Sequence, residues 1–431
     1  MKVAIVGSGI AGLAAAHALR GSATVTVFEA DSHFGGHAHT VDLTLDGVTH
    51  GVDTGFLVFN ERTYPGLIRL FAQLQVPTAP SDMSFSVQVP GAFFGSRPLE
   101  WSGSNLDSVF CQRSNLLRPR FWRMLGDLMR FNKLATEMAE AGASDMLQPL
   151  GDFLEAQGFS DEFRDWYLLP MIGCIWSSPA DDMLRFPVGT LVRFCHNHGL
   201  LQVANRPQWF TVAGGSRNYV DRIVSRLHDA RLETAVLRVH RDEDGVWITT
   251  GAGREQFDRL VLATHPDQAL SMLADASAKE HAVLGAIRYR QNRAVLHTDA
   301  SVLPRNPAAW AAWNYESGPA GTDSGVCLHY LINRLQPLPW TRPVIVSLNP
   351  LRPIDPDQVI RQFDYAHPVF DAAALHAQSQ VATLQGRRNT WYCGAWTGYG
   401  FHEDGLVSGE AVAKSLVMRR RIAQAAAEEM A

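Results

Sequence analysis

Two short apolar runs open the chain, Val3–Val6 and Thr24–Phe28, of the kind a strand buried on both faces requires. Between them Leu13–Leu19 is alanine-rich and helix-forming. Beyond Tyr64, Leu67, Leu70, Phe71 and Leu74 recur at helical spacing. The stretch from about residue 80 to 200 is richer in Trp, Phe, Met and Arg than the β-branched opening. The strand pattern returns with Phe210–Val212, followed by a helical Tyr219–Leu227. Ala235–Val239 and Val246–Thr249 predict a hairpin around Asp244-Gly245, and Leu260–Leu262 a further strand. Ala294–His297, Trp310–Tyr315, Val326–Ile332 and Val344–Leu348 read as strands. Thr390–Cys393 reads as a buried strand, and a helix is expected from near Leu406.

Glycines sit where these elements meet. Gly7-Ser8-Gly9-Ile10-Ala11-Gly12 joins the first strand to the first helix, and Glu29 ends the second strand. Gly7 permits a tight turn, Gly9 lets a pyrophosphate approach the backbone, and Gly12 lets helix pack closely on strand. The helix N-terminus offers N–H groups to phosphates, and Glu29 offers a carboxylate to ribose hydroxyls. This is a dinucleotide-binding unit of the Rossmann type. Asp53 reads either as part of that site or as a turn-capping carboxylate.

A second glycine pair, Gly35-Gly36, just after Glu29 and Ala30 is not required by a nicotinamide dinucleotide. With Asp53-Thr54-Gly55-Phe56 it resembles the flavin-dependent amine oxidase superfamily, which includes phytoene desaturases and protoporphyrinogen oxidases. The resemblance implies FAD. It implies cofactor contacts at Gly7, Gly9, Ile10, Ala11, Gly12, Glu29, Ala30, Gly35, Gly36, His37, Thr54, Gly55, Phe56 and Leu57. It adds Val236, Ala263, Thr264, Gly394, Ala395, Gly405 and Leu406 from later in the chain. Its fold would be α/β, a Rossmann-like FAD-binding domain (1–80, 205–285 and 385–431) interleaved with an α+β substrate domain (81–204 and 286–384). A helix starting at Gly405 would aim its dipole at the flavin pyrimidine. The chain departs from the superfamily at four points. His37 replaces an arginine, Ala395 an acid and His402 one tyrosine of an amine-binding cage, and Ile287–Arg293 has no lysine.

Phe56–Pro65, Asn197–Leu201, Trp313-Asn314-Tyr315 and Gly400–Gly405 are similar to one branch. That branch comprises bacterial FAD-binding proteins related to the N-terminal oxidoreductase region of plant cyclopropane-fatty-acid synthases and to methyl-fatty-acyl desaturases of furan fatty acid synthesis. The resemblance implies desaturation of a methylated unsaturated acyl group of a phospholipid by hydride transfer to flavin N5. An amine oxidase and a non-catalytic FAD-binding partner of a lipid methyltransferase are the alternatives. For desaturation the expected catalytic residues are His402, as base or orienting group, with Glu403 and Tyr315. Tyr399, Asn314 and His198 are lesser candidates.

Composition narrows the partners. The formal charge of −5 argues against nucleic acid. Arg113, Arg118, Arg120, Arg123, Arg130 and Lys133 alternate with Leu116, Leu117, Trp122, Leu125 and Met129. Such a segment suits either an anionic membrane surface or a helix with its apolar side in the core. Arg419–Arg421 could extend that patch. Five scattered cysteines without zinc-like spacing, and no apolar run of about 20 residues, lead us to expect a cytoplasmic, membrane-peripheral protein without metal.

Overall fold

The computed structural model describes residues 1–92, 97–142, 147–202, 206–318 and 326–429, with side chains to residue 422. The expected boundary between residues 204 and 205 lies outside the described residues.

The apolar runs at the start, middle and end of the chain assemble into one parallel five-stranded sheet. Its order is Asp229–Arg231, Thr24–Phe28, Lys2–Val6, Arg259–Leu262, Thr390–Tyr392. Val3, Ile5, Val27 and Val261 are fully buried in it. A parallel sheet covered on both faces demands this near-continuous hydrophobicity. The hairpin forms as Val236–Asp242 and Gly245–Thr250 and is extended by a third strand, Gly253–Phe257.

A second sheet has seven strands in the order Val359–Pro368, Tyr289–His297, Ile345–Leu348, Cys327–Leu331, Trp313–Glu316, Phe85–Val89, Leu99–Ser102. All its pairings are antiparallel except Trp313–Glu316 with Phe85–Val89. Strand side chains alternate between faces, and this sheet uses the alternation sharply. One face, called the front here, carries Phe363, Tyr365, Ala294, Leu348, Leu328, Tyr330, Tyr315 and Trp313. The back carries His297, Ser347, His329, Asn314, Glu316, Ser86, Gln88 and Glu100. A helical layer that includes Pro119–Glu140 and Leu169–Trp176 packs with Trp101, Val87 and Tyr315 in one hydrophobic cluster.

The C-terminal helix, His402–Glu429, begins a turn before the expected start at Leu406. Asp404 in its first turn accepts a hydrogen bond from the Phe401 N–H at 2.9 Å and so closes that end. Gly405 and Gly409 lie inside the helix because it crosses the helix Ile10–Leu19 there. A Cβ on Gly405 would come within 2.7 Å of Ile10 Cγ2, and one on Gly409 would strike the Ala11 carbonyl. No helix of the described residues is long and apolar enough to cross a membrane.

Candidate active site

The turn after the first strand is built as a phosphate cradle. Gly7 has φ +97° and donates its N–H to Phe28 O at 2.9 Å. A Cβ on Gly9 would meet nothing within 4 Å, so the space above that turn is open to a ligand. A Cβ on Gly12 would collide with the Gly7 carbonyl, which is the close helix–strand contact the spacing predicts. Glu29 accepts N–H bonds from Ser8 at 2.9 Å and Asp31 at 3.0 Å, and a bond from the Ser8 hydroxyl.

The other expected cofactor residues gather round this turn. Gly35 and Gly36 adopt φ +113° and +57°, and Gly35 bridges to Gly9. Ala30 lies exposed beside Glu29. Thr54 donates its N–H to His39 O at 3.0 Å, and Phe56 to His37 O at 2.6 Å, which runs Thr54–Leu57 alongside His37. Thr234 donates to Glu29 O at 2.8 Å and so brings Val236 up to the acid. The Ala263 N–H bonds Val6 O at 2.8 Å, and Thr264 O accepts from Trp396 Nε1 at 3.2 Å. Gly394 donates to Ser408 Oγ at 3.0 Å, and Gly405 packs between Ile10 and Ala395 beside the buried Leu406. Open backbone at Gly9, a helix N-terminus and an acid at the strand end fit a dinucleotide. Asp53 takes the capping alternative. Its carboxylate accepts from the Thr40 hydroxyl at 2.6 Å, the Ser216 N–H at 2.9 Å and Gln336 Nε2 at 3.0 Å. Burial nevertheless pushes it up to about 6.

His37 turns toward the seven-stranded sheet. Its ring lies 5.0 Å from Tyr365 and 5.3 Å from His367, and its Nε2 is buried with no hydrogen-bond partner. Asn349 Nδ2 donates to Asn292 Oδ1 at 2.7 Å, and Asn292 Nδ2 to His367 Nδ1 at 2.9 Å. That chain leaves the His367 proton on Nε2. Tyr365 bonds Thr54 Oγ1 at 2.6 Å and His39 Nδ1 at 2.9 Å. His265 stacks on Tyr289 at 3.9 Å. Burial lowers all of these imidazoles, His37, His39 and His265 to about 4 and His367 to about 3. At neutral pH the cluster is uncharged. Sequence reasoning missed His367, Tyr365, His265 and Asn292. The alternation of Phe363, Tyr365 and His367 is the signal that was there to find.

The expected catalytic residues do not form one group. His402 stacks on Phe56 at 3.7 Å and its Nε2 meets the Tyr219 hydroxyl at 2.9 Å. Tyr219 is fully buried, so that nitrogen faces the interior; burial holds His402 at about 3. Glu403 caps a helix. Its two oxygens accept the N–H groups of Gly66 at 2.7 Å and Leu67 at 2.9 Å, at the start of the helix Pro65–Leu74. Tyr315 lies four strands from Tyr365, roughly 19 Å at the usual strand spacing. It packs near Gly173 of the helix Leu169–Trp176, and burial raises its hydroxyl far above the ordinary value. Asn314 is consumed by the Ala311 backbone and Ser86. His198 bonds Phe194 O at 2.9 Å and stacks on that ring, while the Tyr399 carbonyl accepts from Trp176 Nε1 at 3.1 Å.

Behind the sheet, Glu316, Cys327 and His329 bring three ligand-type atoms within 4.8 Å of one another. Glu316 already holds a cation, Arg352, at 2.8 Å. His329 spends Nε2 on Glu316 at 3.2 Å and Nδ1 on Ser347 Oγ at 2.6 Å, and His297 bonds the same hydroxyl at 2.7 Å. This cluster is a closed hydrogen-bond network.

Comparison with known proteins agrees with this geometry. Residues 10–297 match the family model described as flavin containing amine oxidoreductase. No curated protein matches by sequence. Among solved structures the chain is similar to a fatty acid isomerase from P. acnes that produces CLA, at 16% identity and TM-score 0.69, covering 96% of this chain and 98% of that one. It is similar to the cyclohexylamine oxidase of Brevibacterium oxydans IH-35A, at 17% identity and TM-score 0.68, with 97% and 99% covered. A putrescine oxidase bound to putrescine gives 16% identity and TM-score 0.66, with 97% and 99% covered. The fold is therefore the α/β amine-oxidase type. The matched segment begins at Ile10, just past Gly7 and Gly9, and runs through Gly12, the second glycine pair, His37 and the strand Tyr289–His297, and on that evidence the protein belongs to the flavin-containing amine oxidoreductase family, an oxidoreductase whose cofactor is FAD.

Proposed function

We propose that this oxidoreductase acts on lipid acyl chains, desaturating a methylated unsaturated fatty acyl group of a phospholipid. One observation carries the reading: the front face of the seven-stranded sheet is apolar and aromatic, and the titratable cluster at its edge is neutral. Trp313, Tyr315, Tyr330, Phe363 and Tyr365 are only partly buried, so the face has uncovered aromatic surface to offer. Neutral imidazoles offer an ammonium substrate no counter-charge, whereas an uncharged hydrocarbon needs none. The fold similarity to a fatty acid isomerase supports the same substrate class.

FAD, when bound, supplies the two-electron acceptor. The chain supplies position, dryness and a proton site. Phe363 and Tyr365, partly uncovered, orient a hydrocarbon and exclude water. Loss of hydride leaves an electron-poor acyl carbon with acidic neighbouring C–H bonds, so a weak base suffices. His37 Nε2, neutral and without a partner, takes that proton.

Anaerobic addition of a methylated unsaturated phospholipid is expected to bleach the flavin, and addition of putrescine is not. Bleaching by the diamine alone would transfer the reading to amine oxidation. His37→Gln should retain FAD and slow the lipid reaction about 100-fold.

A further inference from the structure

The segment from Leu106 to Lys133 carries both exposed apolar and basic side chains. A short helix Leu106–Val109, a 3-10 turn Arg113–Leu117 and the long helix Pro119–Glu140 follow one another there. The long helix buries Phe121, Met124 and Phe131 in the core, as an amphipathic helix should. Its outer side and the preceding turns are nevertheless apolar at their tips. Leu117 is 88% exposed, Leu106 78%, Met129 57%, Trp122 49% and Leu116 45%. Trp122 holds the tips together, bonding Leu116 O at 3.0 Å and packing on Phe110 at 5.3 Å. An isolated exposed leucine needs no explanation, but a grouped set does.

Basic side chains surround these tips. The segment carries six, Arg113, Arg118, Arg120, Arg123, Arg130 and Lys133, against two acids, Asp107 and Asp127, in a chain whose net charge is −5. Arg120 and Arg123 share one carboxylate, Glu162, Arg130 is held by Asp127 and the Gln157 and Gly158 carbonyls, and the pairs Arg113–Asp107 and Lys133–Glu137 are solvent-exposed. Ion pairs of that kind exchange readily for other anions.

We propose that this surface docks on an anionic phospholipid bilayer. Leu106, Leu116, Leu117, Trp122 and Met129 enter the acyl boundary while the arginines meet headgroup phosphates. A second copy of the chain fits less well, because a two-fold interface would set the basic patch against itself. The hydrophobic cluster beneath the patch, with Phe110 and Phe121, extends through Trp101 and Tyr167 to partly buried Tyr315, Tyr399 and Phe401 at the substrate sheet and C-terminal flavin segment. Docking here would bring the membrane to the substrate side of the enzyme, and in this it rests on the acyl-lipid reading above. Arg419 and Arg420 do not belong to the patch. They donate to the carbonyls of Gln385, Gly386 and Ser22, on the nucleotide side.

The test is cosedimentation of the FAD-loaded protein with vesicles of phosphatidylglycerol and phosphatidylcholine in equal parts, and with phosphatidylcholine alone. Binding to the mixed vesicles only, weakening as salt is raised, is expected. The double variant Leu117→Glu, Trp122→Glu should lose about tenfold or more in binding. Arg113→Glu with Arg118→Glu should do the same. Unchanged flavin content and Tm in each variant show that the fold is kept. Equal binding by wild type and both variants, no binding to either vesicle, or a concentration-dependent dimer that the Glu variants dissolve would overturn the proposal. These readouts do not involve turnover, so failure of the desaturase reading leaves them intact.

Discussion

The two faces of the seven-stranded sheet are made from alternate residues of the same strands, and they do opposite things. On the back, Glu316, His329, Ser347, His297 and Asn314 are all nearly inaccessible and hydrogen-bonded. They hold the overlying chain: Glu100 accepts from Arg305 N at 2.8 Å and Asn306 N at 3.1 Å, and Gln88 donates to Val302 O at 3.1 Å. On the front, aromatic rings are left partly uncovered and the polar atoms at the edge include an imidazole nitrogen with no partner. A buried polar layer is stable only when every group is satisfied, so it fixes one geometry. An unfilled aromatic face sacrifices packing and keeps room for a ligand. The back of the sheet sets shape, and the front is the face proposed above to take the substrate.

The largest expected effect comes from opening the back. Glu316→Leu leaves His329 Nε2 without its acceptor and Arg352 without its carboxylate, and unfolding by urea should show a loss of about 3 kcal/mol. Bonds from His329 and Arg352 outweigh burial and hold the Glu316 carboxyl below its ordinary value, so it is ionised in the wild type. Next is Leu328→Ala, a cavity on the covered part of the front, expected to cost about 2 to 3 kcal/mol. Tyr365→Phe removes a hydroxyl bonded to Thr54 and His39, with an expected loss of about 1 kcal/mol and a larger change in turnover than in stability. If the back-face change proves milder than the tyrosine change, the division of labour is wrong.

The last effect is read along pH rather than from a substitution at neutral pH. His37, His39, His265 and His367 have folded values near 3 to 4, lowered by burial, against an unfolded value of 6.5. Between those values the unfolded chain binds more protons, so stability falls as pH drops from 6.5 toward 4. His367→Asn should flatten that slope in pH-dependent urea midpoints.

The nucleotide-binding elements were legible because their information is local. Gly7, Gly9, Gly12 and Glu29 declare a turn and its ligand within one short stretch. A matched pair of variants tests how far that logic reaches. Gly12→Ala should disrupt the fold, since its Cβ strikes the Gly7 carbonyl, while Gly9→Val should leave Tm of the apoprotein near wild type and abolish FAD binding. The rest depended on pairings across long separations. Tyr365 and His367 become site residues only because Val359–Pro368 pairs with Tyr289–His297; their alternation with Phe363 marks a strand, but no local motif marks that pairing. Glu403 looked like an acid beside the cofactor, but the backbone it caps is that of Gly66 and Leu67, from a remote part of the chain. The helix start was misplaced because Gly405 resembled a terminus, whereas its missing side chain serves a helix crossing.

That crossing also sets a schedule. The edge strand Thr390–Tyr392 and the helix bearing Gly405 and Gly409 leave the ribosome long after the glycine turn they close over. Until they emerge, the opening strand and its glycines must wait with one flank bare. A product terminated before Thr390 should therefore remain without its yellow colour.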